Sequence, residues 1–370
     1  MPDMIAQVTA LTRDLVMLDS RSAVSNLPVA ERLEDVLPGF EIERLDYTDP
    51  AGVAKRVLVA HRGGPGGIAF SGHMDTVPDT GWQENPWSAR IDADGVLHGL
   101  GSTDMKGPVA AAVLAACALP PRVPVTLLIT TDEETTKQGA RQIAERSVLA
   151  RSAKLKGIVV VEPTTLMPVR GHRSHIAFTC VSTGVQAHSS TGRGRNANWD
   201  LIPFLVEMKV LFERLRNDTT LQDTAYDPPF SDFNLVIDNH GTAVNVTVPT
   251  ATARIKFRYS ANVDPSSVLA GVQDAAQRAG ITVTETREGS PPELPADHPL
   301  VRLCADIAGA APRTAPYGTD ASVLQALAPC IVFGPGDIAV AHTPHEAVRL
   351  ADLAAAVPLF TRLAERAAEL

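Results

Sequence analysis

Four short apolar runs, at residues 68–70, 125–131, 157–161 and 330–333, constrain this chain more than any other feature. A strand covered on both faces reads as a nearly continuous run of β-branched and aliphatic residues, whereas a half-exposed strand alternates. Helical stretches lie among the runs: 4–18, with Ile5, Val8, Leu11, Leu15 and Leu18 on one face; 28–37, opened by Pro28; and 108–119, apolar all round and so expected to be buried. The order predicts an α/β fold with a mostly parallel, mixed sheet covered by helices on its faces. Strands are also expected at 41–47 and 55–60. The Gly63-Gly64-Pro65-Gly66-Gly67 stretch lacks the pattern of a phosphate-binding loop and reads as a hairpin or loop.

The residues just after each run are as informative as the run itself. Ser71-Gly72-His73-Met74-Asp75 ends the first, Asp132-Glu133-Glu134 the second and Glu162-Pro163 the third, and Gly334-Pro335-Gly336 leads from the fourth to His342. Sheets of this kind place their sites outside the carboxyl ends of the strands. Asp104 joins the set from the glycine-rich stretch before the 108–119 helix, as a carboxylate at a helix start. Any one of these is an ordinary loop residue; gathered at one sheet end, they have the chemistry of a metal site. Residues two apart on extended backbone face the same side, so Asp75 can orient the His73 ring from behind.

Imidazoles and carboxylates without thiolate suit Zn²⁺, with Co²⁺ and Mn²⁺ as alternatives. The donors outnumber what one tetrahedral ion with an open position needs, which points to two divalent metal ions sharing a carboxylate, with Asp104 as the bridging candidate. Glu133 and Glu134 are adjacent and so can point in different directions. Glu134 is assigned to a metal and Glu133 to general acid–base work.

From Arg173 to about Gly289 the texture changes. Strands at 175–183, 231–237, 250–260 and 281–286, with helices at 196–216 and 265–279, follow the order β-α-β-β-α-β of a ferredoxin-like domain. This predicts a catalytic domain at 1–172 and 290–370, interrupted by an inserted domain at 173–289, with further catalytic-domain helices near 299–309 and 321–328.

A formal net charge of −9 argues against a nucleic-acid partner, and the lack of a long apolar run argues against a membrane span. No export signal is evident, and Cys117, Cys180, Cys304 and Cys330 show no Cys-x-x-Cys spacing. A cytoplasmic protein with reduced thiols is expected.

The stretches Ser71–Pro78, Gly99–Gly107, Thr131–Thr135, Glu162-Pro163-Thr164 and Gly334-Pro335-Gly336 with His342 resemble, in order and over nearly the whole chain, peptidase family M20, the dinuclear zinc aminoacylases and carboxypeptidases. The likeness is strongest to the branch that deacetylates N-acetylornithine in arginine biosynthesis. It implies that His73 and Glu162 bind one ion and Glu134 and His342 the other, with Asp104 bridging, Glu133 as base and Asp75 orienting His73. His345 stands as an alternative to His342. The resemblance further implies that the inserted domain is a substrate lid and the contact of a homodimer. His188, in Gln186-Ala187-His188-Ser189-Ser190, would steady the oxyanion in the neighbouring subunit's site, and Asn245, Arg258 and Thr319 would hold the substrate. The implied reaction removes an acyl group from a small N-acyl amino acid, foremost N-acetylornithine. Succinyl-diaminopimelate, another N-acyl amino acid or a dipeptide are alternatives, and a catalytically silent binding homologue is the alternative of another class.

Overall fold

The computed structural model describes residues 2–369, and these divide into two compact units. One holds the described residues up to Gly171, Glu293–Thr314 and those from Thr319 on; the other holds His172–Pro292 and Ala315–Gly318. The division falls close to the expected 173–289, with the Ala315–Gly318 segment added to the second unit.

The first unit is built on an eight-stranded sheet ordered Glu41–Thr48, Ala54–Arg62, Val125–Thr130, Ile68–His73, Gly157–Val160, Cys330–Val332, Val169–His172, Arg313–Ala315. The centre is parallel: Ile68–His73 pairs with Val125–Thr130 on one side and Gly157–Val160 on the other, and Gly157–Val160 pairs with Cys330–Val332. These are the runs read from the sequence, and the central strands are buried along their lengths, as strands covered on both faces must be. The Glu41–Thr48 and Ala54–Arg62 strands extend the sheet in antiparallel fashion.

Two helices carry most of the covering. Gly107–Ala118 is buried along most of its length, and Leu350–Ala367 brings Phe360 against Phe70 and Phe333, with ring centroids 5.1 and 6.1 Å away. The N-terminal helix Pro2–Val16 buries Val8, Leu11 and Leu15 as expected, but Ile5 is 40% exposed and Leu18 lies beyond the helix end.

The glycine-rich 63–67 stretch is a loop and not a hairpin, because the strands it joins are separated in the sheet by Val125–Thr130. It crosses the segment before that strand so closely that a Cβ on Gly63 or Gly67 would sit 2.5 Å from Val123 O or 2.1 Å from Pro124 O, and both have positive φ. The helix expected at 321–328 is only Ala321–Leu324.

The second unit has the expected β-α-β-β-α-β order. Its antiparallel sheet runs Asp232–Asp238, Thr250–Tyr259, Ser174–Thr183, Thr282–Arg287. Burial alternates along Ser174–Thr183, and Ile176, Phe178 and Cys180 form a core with Phe204 and Met208 of helix Asn198–Asn217 and Val268 and Val272 of helix Ser266–Ala279. All four cysteines are free thiols, and no helix among the described residues is long and apolar enough to cross a membrane.

Candidate metal centre

His73, Glu133, Glu134 and Glu162 sit at or just after the ends of central strands. His73 is the last residue of Ile68–His73 and is 1% exposed. Its Nε2 lies 3.1 Å from Asp104 Oδ1 and 3.7 Å from Glu162 Oε1. Glu162 follows Gly157–Val160 and is buried. The neighbouring strand end approaches it so tightly that a Cβ on Gly334 would meet Val161 O at 2.1 Å.

Asp75 does stand behind the His73 ring, but the hydrogen bond to Nδ1 is made by its main-chain carbonyl, at 2.9 Å, while its carboxylate is 3.6 Å away. The carboxylate accepts instead from Ser22 Oγ at 2.7 Å and from the backbone N–H groups of Glu133 and Glu134 at 3.2 and 3.3 Å. One side chain thereby ties the His73 strand end to the loop bearing the two glutamates.

That loop is also held from below. Asp132, at φ 60°, accepts from Tyr47 Oη at 2.6 Å and pairs with the buried ammonium of Lys55 at 3.0 Å. Glu134 then reaches His342, Oε1 to Nε2 2.9 Å, while Glu133 turns away and pairs with Lys137. Lys137 is a partner that sequence reading missed; its spacing of four from Glu133 was the available signal.

Asp104 is not at a helix start but within the irregular turn Ser102–Lys106 that precedes Gly107–Ala118, where its own backbone is extended and its peptide to Met105 is cis. Glu346 holds this turn: its carboxylate accepts the backbone N–H groups of Gly101, Thr103 and Asp104 at 3.0, 2.9 and 2.9 Å. The sequence offers Glu346 as the glutamate that follows His342 and His345 but gives it no role; it is 1% exposed after folding.

The result is two groups with Asp104 in common: His73, Asp104 and Glu162, and Asp104, Glu134 and His342, each with its donor atoms within 4.8 Å of one another. His345 belongs to neither; its backbone N–H donates to Thr343 Oγ1. Three carboxylates at such range repel one another. Burial and the nearby Asp104 charge drive the Glu162 carboxyl well above its ordinary value and Glu134 to about 7. Burial also acts to raise Asp104, but hydrogen bonds from His342 and His73 outweigh it and hold the carboxyl low. Hydrogen bonds to Asp104 and Glu134 raise His342 to about 11. Oxygen and nitrogen donors, no thiol and an excess of buried negative charge fit a pair of divalent cations, one per group.

The remaining expected residues lie elsewhere. Thr319 is buried, and its Oγ1 accepts from Ala321 N–H at the start of a short helix. Next to it, buried Asp320 accepts from Thr130 Oγ1. In the second unit His188 is exposed, its Nδ1 accepting from the Ser190 N–H, and the Ser189 N–H donates to Asn245 O, so the segments that carry His188 and Asn245 run side by side. Arg258 Nη1 pairs across the sheet with Asp232 Oδ2 at 2.7 Å.

The chain is similar to known proteins over most of its length. The sequence profile of peptidase family M20/M25/M40 matches residues 69–366. An acetylornithine deacetylase of Myxococcus xanthus is 32% identical over 376 residues, covering 95% of each chain. Among solved structures, a tripeptidase of Staphylococcus aureus superposes with a TM-score of 0.74 at 17% identity over 99% of both chains. A dinuclear metal-binding M20 peptidase of Bacillus subtilis superposes with a TM-score of 0.66 at 17% identity, over 100% of this chain and 99% of its own. By the extent of the profile and the end-to-end alignment to a relative, this chain belongs to peptidase family M20/M25/M40 and is a hydrolase of amide bonds.

Proposed function

We propose that the protein is a two-metal deacylase of N-acyl amino acids, acting foremost on N-acetylornithine as a cytoplasmic enzyme of arginine biosynthesis. The observation that carries the metal reading is the sharing of Asp104 between two triads of donors. His73 and Glu162 would hold one ion, Glu134 and His342 the other, and Asp104 both, with Zn²⁺ the first expectation. When bound, such a pair supplies Lewis acidity toward an amide carbonyl and brings the pKa of a shared water near neutrality.

The chain's own residues do the rest. Glu133 takes the proton of the attacking water on its carboxylate and delivers it to the leaving nitrogen. Lys137, paired with it, keeps that carboxylate in place. Asp75 and Glu346 hold the ligand-bearing turns through backbone amides. His188 is assigned to the oxyanion, and Asn245, Arg258 and Thr319 to the substrate, on the strength of their sequence motifs. Arg258 spends one nitrogen on Asp232 and offers the rest of its fork to an α-carboxylate.

Homodimerisation through the second unit is part of the proposal. It is supported by Trp199, Ile202, Val206 and Val210, which form an exposed apolar stripe along helix Asn198–Asn217. Light scattering on the purified protein tests it.

The activity is tested by stripping the protein with a chelator, restoring Zn²⁺, Co²⁺ or Mn²⁺, and following amine release from N-acetylornithine, N-succinyl-diaminopimelate and dipeptides. Metal-dependent release from N-acetylornithine is expected to be fastest. Faster release from either of the others reassigns the substrate, and no release from any acylated amino acid rejects the deacylase reading.

A further inference from the structure

Lys55 is fully buried in the first unit, a place that lysine takes only when its ammonium is paired. Its three N–H bonds meet three acceptors: Ser22 O at 2.7 Å, Val24 O at 2.9 Å and Asp132 Oδ1 at 3.0 Å. Tyr47, directly opposite Lys55 on the neighbouring strand, donates from Oη to the other oxygen of the same carboxylate at 2.6 Å.

These contacts close a ring behind the two glutamates. Lys55 joins Ser22 to Asp132, and Ser22 Oγ donates to Asp75 Oδ2 at 2.7 Å. Asp75 in turn accepts the N–H groups of Glu133 and Glu134, the residues that follow Asp132.

The ring serves Glu133 and Glu134 in particular. His73 lies within the ladder that pairs Ile68–His73 with Val125–Thr130, and Glu162 follows Val161, whose N–H donates to Ser71 O at 2.9 Å. The 132–134 stretch lies beyond that ladder, and Asp132 has a left-handed backbone at φ 60°. Its direction is set by its own turn and by the carboxylates of Asp75 and Asp132. Stability alone does not call for an ammonium here, since replacing a buried ion pair by apolar side chains is often neutral or stabilising. What apolar packing does not supply is directed bonds to two segments at once.

We infer that Lys55 is a positioning residue for the group of Asp104, Glu134 and His342: through Asp132 and Ser22 it fixes the turn that carries Glu133 and Glu134, and so the place of Glu134 on its metal ion and of the base Glu133. The inference rests on the two-metal reading of the site and not on the identity of the substrate.

Zn²⁺ affinity, titrated against a competing chelator in two backgrounds, tests it. Glu162→Ala keeps the ion of Asp104, Glu134 and His342, and adding Lys55→Met is expected to weaken its binding about 10–100-fold, as when other supporting partners of metal ligands are removed. His342→Ala keeps the ion of His73, Asp104 and Glu162, and adding Lys55→Met there should leave the affinity unchanged within about twofold. Lys55→Met leaves the Asp132 carboxylate buried without its cation. The pair Lys55→Met with Asp132→Asn removes both charges, is measured beside it, and should act in the same direction. Equal weakening in both backgrounds shows a general structural role and overturns the inference, as does undiminished affinity in the Glu162→Ala background.

If the unmodified chain takes up fewer than two ions, the two-metal reading fails by itself. Hydrogen exchange in the protein as purified then decides the role of Lys55 separately. Faster exchange in Lys55→Met confined to the 21–24 and 131–137 segments supports it. Unchanged exchange there, or faster exchange spread through the 68–73 and 157–160 strands, overturns it.

Discussion

Glu346 accepts the backbone N–H of Asp104 at 2.9 Å across 242 residues of sequence. With the N–H groups of Gly101 and Thr103 on the same carboxylate, this contact sets the turn that aims Asp104 Oδ1 at His73 and Oδ2 at His342. Glu346→Gln keeps one acceptor oxygen and loses the charge, whereas Glu346→Ala empties the clamp. Metal affinity, titrated against a competing chelator, is expected to fall about 10–100-fold in Glu346→Ala, as when other supporting partners of metal ligands are removed. Full-strength binding by that variant would show that the turn stands without it.

Asp104 is the shared member of the two donor groups, so its loss should differ in kind from the loss of a terminal member. Metal content measured by plasma mass spectrometry is expected to drop by both ions in Asp104→Ala. In His342→Ala or Glu162→Ala only one ion of the pair should go. Retention of one tightly held ion in Asp104→Ala would contradict the bridging role.

Glu133→Gln should bind metal normally and lose about 10²–10⁴-fold in kcat, the usual worth of a positioned acid–base group. Lys137→Ala removes the pairing that fixes the Glu133 side chain and should lower kcat by on the order of tenfold to a hundredfold with little change in KM, through misplacement of the base. Lys137→Arg should recover part of the loss. A Glu133→Gln enzyme with undiminished turnover would remove Glu133 from the mechanism.

Asp320 carries a pH signature. Burial, with Glu133 nearby, raises its carboxyl to about 7 despite Lys137 and the hydrogen bond from Thr130, and its buried Oδ1 has no hydrogen-bond partner among the described residues. The folded protein thus keeps a proton that the unfolded chain releases near 3.8. The resulting stability is fully present below that value and is lost as pH rises toward and through about 7. In metal-free protein, the stability of Asp320→Asn relative to the unmodified chain should increase between about pH 4 and 7 and level off above it, measured by urea unfolding at a series of pH values. A constant difference across that window would place the Asp320 carboxyl in its ordinary range.

Phe360 closes the central sheet by packing on Phe70 and Phe333. Phe360→Ala leaves a cavity in a fully buried region and should cost about 3–5 kcal/mol in unfolding free energy. Phe360→Leu, which refills part of the space, should cost less.

Much of this protein is local in origin and hence legible. Runs such as Leu127-Leu128-Ile129 declare a strand buried on both faces, because only there does every side chain face apolar surroundings. The alternation in Ser174–Thr183 declares a strand with one face on a core. The kinds of donor at the strand ends, imidazole and carboxylate without thiol, could be read in the same way. Local signals also misled: the 321–328 stretch carries helical residues but yields only Ala321–Leu324.

Pairing, by contrast, is decided by contacts between residues far apart in the chain. No local feature says that Val125–Thr130 inserts between Ala54–Arg62 and Ile68–His73, which turns the glycine stretch into a crossing loop. The Asp75 carboxylate serves the Glu133 and Glu134 amides more than the His73 ring, and Glu346 clamps Asp104, only because folding brings those backbones within hydrogen-bond reach. The sequence by itself determined which elements form and what chemistry their ends carry, since these depend on each residue's neighbours along the chain. Tertiary structure alone decided which oxygen faces which histidine, because angstrom-scale geometry at a strand end is set by every layer packed beneath it.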